Sequence, residues 1–155
     1  VKNTVPRAYV PEKYYVSVTE SDVFERLREL REPTTAVILG DKEHTASASG
    51  RITKQEWHSS NLYFETEMES EGFLVISDIY FPGWIAKVDG KPEPISRANY
   101  AFRAVHLSPG HHKVEFSFLP PYFVASVLIT VTSITLSFSA GFLLHIRRAH
   151  RISTR

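Results

Sequence analysis

FSFLPPYFVASVLITVTSITLSFSAGFLLHI, residues 116–146, contains no Asp, Glu, Lys or Arg, in a chain that is 23% charged overall. Within it, Tyr122 to Leu144 is dominated by Val, Ile, Leu and Phe. As an α-helix, that core covers about 34 Å, enough to cross a hydrocarbon layer about 30 Å thick. Arg147, Arg148, His150, Arg151 and Arg155 follow with no acidic residue among them. The positive-inside bias therefore predicts a transmembrane helix over 120–146, a basic cytoplasmic tail over 147–155 and an extracytoplasmic domain over 1–119. The lipid bilayer is the first partner implied. Along the helix Ser126, Thr130, Ser133, Ser137 and Gly141 recur at four-three-four-four spacing. Such a small-residue stripe suits close packing against other membrane helices. The competing reading is that each hydroxyl bonds back onto its own helix.

Outside this segment roughly 120 residues remain, the size of one ordinary domain. Two Trp, seven Tyr and ten Phe supply the material for a core. There is no Cys, which excludes disulfides, thiol chemistry and Cys-zinc sites. The net charge is +1 and much of the positive excess lies in the tail, so nucleic acid is not an expected partner. The sequence starts at Val1 with no Met, basic n-region or apolar h-region. An exported domain without such a signal is expected to be the end of a longer polypeptide. A tail-anchored protein would instead leave the bulk in the cytoplasm, against the charge rule.

The pattern before residue 120 is mainly β. Pro6 and Pro11 make Val5 to Val18 extended, and Tyr9, Val10, Tyr14, Tyr15, Val16 and Val18 favour strands. Thr19 with Asp22 resembles a capping box, and Val23, Leu27 and Leu30 recur at helical spacing until Pro33. This predicts a short amphipathic helix at about 21–31. Thr35 to Leu39 reads as a strand, and 41–49 as a polar linker of small residues. Ile52 to Trp57 leads through His58-Ser59-Ser60-Asn61 into a segment where Leu62, Phe64, Thr66 and Met68 alternate with Tyr63, Glu65, Glu67 and Glu69. That is a half-buried strand. Phe73 to Ile76 is a continuous apolar run, expected to be buried on both faces. Asp89-Gly90 after Trp84 to Val88 is a strong hairpin signal. Ser108-Pro109-Gly110 reads as a type II turn between strands at Tyr100 to Leu107 and His112 to Phe118. A β-sandwich or jelly roll is the expected architecture.

Two clusters carry possible chemistry. Asp78, Tyr80 and Trp84 surround Pro82-Gly83, where an aromatic face could stack on a sugar while Asp78 accepts hydroxyl hydrogen bonds. The alternative places Trp84 in the core and Asp78 at a turn. Arg97, Asn99, Tyr100 and Arg103 offer contacts for a phosphate or acidic glycan, since Arg presents a planar fork. Equally, Arg103 pairs with a neighbouring-strand carboxylate and Asn99 supplies a left-handed turn position. His106, His111 and His112 flank one hairpin without metal-ligand spacing, and no nucleophile elbow of the Gly-x-Ser-x-Gly type occurs. No metal, cofactor or catalytic set is expected in this chain.

Several segments resemble a known family when taken together. They are Pro6-Arg7-Ala8-Tyr9-Val10, Leu74 through Trp84, Val88-Asp89-Gly90-Lys91, Arg97 through Val105 and Pro109 through Phe116. In this order, with the final membrane helix, they resemble the C-terminal end of the YfhO family of bacterial multi-spanning membrane proteins. The resemblance implies a parent similar to glycosyltransferases that use lipid-linked sugars, acting on envelope polymers such as lipoteichoic acid. Catalytic acidic residues are then expected in an external loop near the start of the membrane domain, and none is assigned to these positions. The implied partners are upstream membrane helices of the same parent and an envelope glycan or lipid-linked sugar. The reading from another class is a free-standing, single-span interaction or scaffold module.

Overall fold

A computed structural model describes residues 5–30, 32 and 34–153. Arg31 and Pro33, where the first helix was expected to stop, and Arg155 of the basic tail lie outside the described residues. The chain divides into two compact units, Val1–Leu119 and Pro120–Arg155.

The first unit is mainly β, with two sheets. The strands are β1 (Ala8–Tyr9), β2 (Lys13–Ser17), β3 (Thr35–Leu39), β4 (His44–Ser47), β5 (Gly50–Trp57), β6 (Asn61–Met68), β7 (Gly72–Ile79), β8 (Trp84–Val88), β9 (Lys91–Glu93), β10 (Ile95–Ala98), β11 (Phe102–Leu107) and β12 (Gly110–Phe118). One sheet runs β1-β7-β11-β10-β3-β2-β4 and the other β5-β6-β12-β8-β9. Helix α1 (Glu20–Glu29) begins at Thr19, whose Oγ1 accepts from the Asp22 N–H at 3.1 Å. It supplies the crossover between β2 and β3, which pair in parallel. A parallel pair needs such a long connection. That pair departs from an all-antiparallel jelly roll.

Period-two alternation explains the two cores. Leu74 and Ile76 join Leu62, Phe64, Val105, Val114 and Phe116, a cluster to which both sheets contribute. Phe73 and Val75 point to the other face of the seven-stranded sheet, with Tyr14, Val16, Ile38 and Ala104. Strand β7 is therefore buried on both faces, as its unbroken apolar run predicts. On β6 the side chains of Leu62, Phe64, Thr66 and Met68 are buried, while the intervening ones are partly exposed.

Two sequence expectations are corrected. Residues 41–49 are not all linker: β4 pairs antiparallel with β2, Lys13 opposite Ser47 and Val16 opposite His44. As an edge strand with three of its four residues exposed, it carries no apolar alternation to reveal it. Tyr100 belongs to a turn, not a strand. Asn99 and Tyr100 have φ of 46° and 69°, the left-handed region.

The β8–β9 hairpin follows its sequence signal. Asp89 and Gly90 have φ of 52° and 78°, as a type I′ turn requires. The Asp89 carboxylate accepts from the Lys113 N–H at 2.8 Å and lies 2.8 Å from His112 Nδ1. These contacts, the backbone one foremost, hold its pKa below the ordinary value. Their contribution is complete above the unfolded value of about 3.9 and is lost as pH falls through the lower folded value. We expect urea midpoints measured between neutral and strongly acidic pH to fall less steeply on the acid side in Asp89→Asn, which keeps the turn.

The second unit is α2 (Phe123–Ser153). It starts after Pro120-Pro121, three residues later than predicted, and Tyr122 has φ of 66°. It runs on through Arg147, Arg148 and Arg151, so the basic positions continue the helix beyond the apolar stretch. Phe123–Phe142 is long and apolar enough to span a membrane.

Candidate functional site

The seven-stranded sheet loses its regular register beside Asp78. Phe102 pairs with Ile79 and Arg103 with Ile76, leaving Ser77 and Asp78 as extra residues on β7. Bulges of this kind re-aim side chains. Here Ser77 N–H donates to the Arg7 carbonyl at 2.8 Å, which draws the N-terminal segment to the bulge. Arg7 then grips Asp78 with both prongs, Nε to Oδ1 at 3.0 Å and Nη2 to Oδ2 at 2.9 Å. Arg103 Nη2 donates to the same Oδ2 at 3.1 Å.

Arg103 is the largest fully buried side chain, at 1% exposure. The alternation that sends Val105 and Leu107 inward carries it between the sheets. Its guanidinium sits 3.9 Å from the centroid of the Trp84 ring and 5.8 Å from that of Phe116. Burial lowers its pKa, opposed by the Asp78 charge, yet a guanidinium stays protonated. Arg7 lies 4.0 Å over Trp57, and its hydrogen bonds to Asp78 raise its pKa. Two cations thus share one carboxylate, each capped by an indole.

Beyond the bulge the chain turns at Phe81-Pro82-Gly83. A cleft of about 480 Å³ opens there, lined by Tyr80, Phe81, Trp84, Ile85, Pro92 and Pro94 among others. A second, more polar cleft of about 440 Å³ is lined by Asp41, Ser96, Arg97, Tyr80 and Ile95. Tyr80 and Ile95 border both. The Arg97 guanidinium lies 5.1 Å from the Tyr80 ring centroid and pairs with Glu20 of α1 at 2.5 Å.

The six sequence-predicted contact residues therefore separate. Tyr80, Trp84 and Arg97 border open clefts. Asp78 has both oxygens engaged by arginines, and Arg103 is enclosed. Asn99 is occupied locally: its Oδ1 accepts from Val37 N–H at 2.8 Å, and its Nδ2 donates to the Tyr9 hydroxyl at 3.0 Å. Burial raises the Tyr9 pKa. The three histidines do not converge: His106 faces Glu71, His111 faces Glu67, and His112 faces Asp89 and the Ser108 carbonyl. Sequence reasoning missed Arg7, Trp57, Glu20 and Asp41 as neighbours, because each arrives from a strand, helix or loop distant in sequence.

On α2, Ser126, Thr130 and Ser137 bond back to the carbonyls four residues earlier, at 2.8–2.9 Å. A Cβ on Gly141 would meet nothing within 4 Å. A groove of about 470 Å³ lies along Ser137, Phe138, Gly141 and Phe142.

The comparison with known families bears on these positions. The sequence profile described as "Bacterial membrane protein YfhO" matches residues 40–130, from β4 through the start of α2. The chain belongs to the YfhO family. A Bacillus subtilis (strain 168) protein bearing the name "Uncharacterized protein YfhO" is 30% identical over 87 residues, 56% of this chain. The matched stretch is 10% of that protein's length. No solved structure matches the chain. The YfhO profile thus covers the first cleft, most of the second, Asp78, Arg103 and the candidate membrane span's first turns, while Arg7, Glu20 and the second cleft's Val18 and Leu39 precede it.

Proposed function

We propose that this chain is the extracytoplasmic β-sandwich and last membrane helix of a protein that glycosylates cell-envelope polymers of the lipoteichoic-acid type. Its role is to hold a sugar or sugar phosphate near the membrane, with the catalytic acids elsewhere in the parent. The core cluster fed by both sheets supports a sandwich, and the Arg-rich end of α2 supports export of the β unit. The small-residue stripe from Ser126 to Gly141 is suited to packing on upstream helices of the same parent.

The observation that carries the sugar-holding role is the pair of clefts sharing Tyr80. The apolar one offers a ring face beside Trp84, and the polar one offers Asp41, Ser96 and the Arg97 guanidinium. A pyranose with an attached phosphate needs that combination. The test is calorimetric titration of the chain in detergent with glycosylated glycerol-phosphate fragments. Arg97→Gln and Tyr80→Ala are each expected to weaken binding about tenfold, the equivalent of about 1.4 kcal/mol. Unchanged affinity in both, or no binding by the parent chain, would remove the sugar-holding role.

Orientation has its own test, made simple by the absence of cysteine. Pro109→Cys is expected to react with an impermeant thiol reagent in intact cells. Thr154→Cys is expected to react only after permeabilisation. The opposite pattern would place the β unit in the cytoplasm.

A further inference from the structure

Ile79, Phe81, Ile85 and Leu119 are exposed at 72%, 55%, 45% and 50%. Phe81, Ile85 and Leu119 gather at the β8–β12 edge, and Ile79 precedes them at the end of β7. The Leu119 N–H donates to the Gly83 carbonyl at 2.8 Å, Ile85 pairs with Ser117 on β12, and the Phe81 and Phe118 rings are 6.3 Å apart. Residues 79–86 contain no Asp, Glu, Lys or Arg, and neither do residues 116–146. The two uncharged stretches meet at the Gly83–Leu119 hydrogen bond. A contiguous apolar patch of this kind is unusual on a surface that faces only water.

We infer that this patch is a membrane-surface contact, with the Phe81-Pro82 tip seated among lipid headgroups on the β unit's side of the bilayer. The occupant follows from the covalent chain. Leu119, inside the patch, is four residues before Phe123, where the candidate span starts. Fully extended, those residues reach at most about 14 Å, roughly twice the depth of one interfacial layer, so Leu119 lies within or just above the headgroups. A patch tied so closely to a membrane-crossing segment stays within reach of headgroups and glycerol backbones. Its chemistry suits them: Phe and Ile side chains enter the interface, while the nearby charges, Asp78 paired with two arginines and Glu93 lining the adjoining cleft, stay at the level of the polar headgroups. The contact would set the mouth of the Tyr80–Trp84 cleft at headgroup level. It does not depend on that cleft binding sugar.

The test uses the whole chain in phosphatidylglycerol–phosphatidylethanolamine vesicles, with an environment-sensitive NBD probe on Phe81→Cys and, separately, on Ile79→Cys. The control is Ser108→Cys, beside the opposite end of the nine-residue β12, about 27 Å from the patch along an extended strand. Acyl chains brominated near the headgroup should quench most of the emission at both patch positions and none at the control. Quenching equal to that of the control would overturn the contact. So would a blue-shifted, water-shielded probe that brominated lipid does not quench, since the patch would then be covered by protein. Both patch positions are exposed, so the labelled variants retain the core, and a urea midpoint equal to that of the unsubstituted chain checks this for each.

Discussion

Asp78→Ala is expected to lower the unfolding free energy of the β unit by about 3–5 kcal/mol, the range for removing one partner of a buried ion pair. The size follows from what remains. Arg103 stays enclosed at 1% exposure, and its Nε and Nη1 already lack hydrogen-bond partners in the native arrangement. With the carboxylate gone, Nη2 joins them and the Arg7 charge nearby becomes repulsive. The faces of Trp84 and Phe116 offset part of this through cation–π attraction, worth about 2 kcal/mol at most for a desolvated pair. Urea titration of the chain in detergent, followed by Trp fluorescence, measures the loss. The double variant Asp78→Ala/Arg103→Met should recover most of it, because a thioether of similar length fills the space without a charge to solvate. A loss below about 1 kcal/mol in the single variant would mean that the pair behaves as an exposed one.

Why Arg103 is buried was legible only in part. Val105 and Leu107 alternate with polar or small neighbours, and extending that period backward assigns Arg103 to the inside. What the period does not supply is the partner. Asp78 lies on another strand, and the β7–β11 register that brings it close contains a bulge that no local pattern announces. The same division runs through the fold. The Thr19 cap, the Asp89-Gly90 turn and the two-sided burial of β7 depend on residues adjacent in sequence, and each is as the sequence predicts. The edge strand β4, the parallel β2–β3 pair and the Arg7–Trp57 stack depend on long-range pairing, and none was visible in advance. Tyr100 illustrates the limit from the other side. Its aromatic ring favours a strand, yet the Asn99 side chain binds the Val37 amide, and the backbone turns at both residues.

Trp84→Ala is expected to cost about 3 kcal/mol, the lower end of the range for removing a core Trp, because the ring is only half-buried. Part of that cost belongs to Arg103. The indole face 3.9 Å from the guanidinium keeps water-sized space from opening beside a buried charge, and the ring also packs 5.3 Å from Phe118. Trp84→Phe keeps an aromatic face and should lose less than Trp84→Ala. A double-mutant cycle separates the two contributions. In an Arg103→Met background, Trp84→Ala should cost less than in the parent by about 0.5–2 kcal/mol, the range of a cation–π contact from exposed to desolvated. Equal costs in both backgrounds would show that the ring stabilises the domain by packing alone. If Trp84→Ala instead shifts unfolding by less than about 1 kcal/mol and weakens binding of glycosylated glycerol-phosphate fragments, the ring is a ligand platform that contributes little to the fold. The two roles predict opposite orders of effect in stability and affinity, so measuring both on the same protein preparation decides between them.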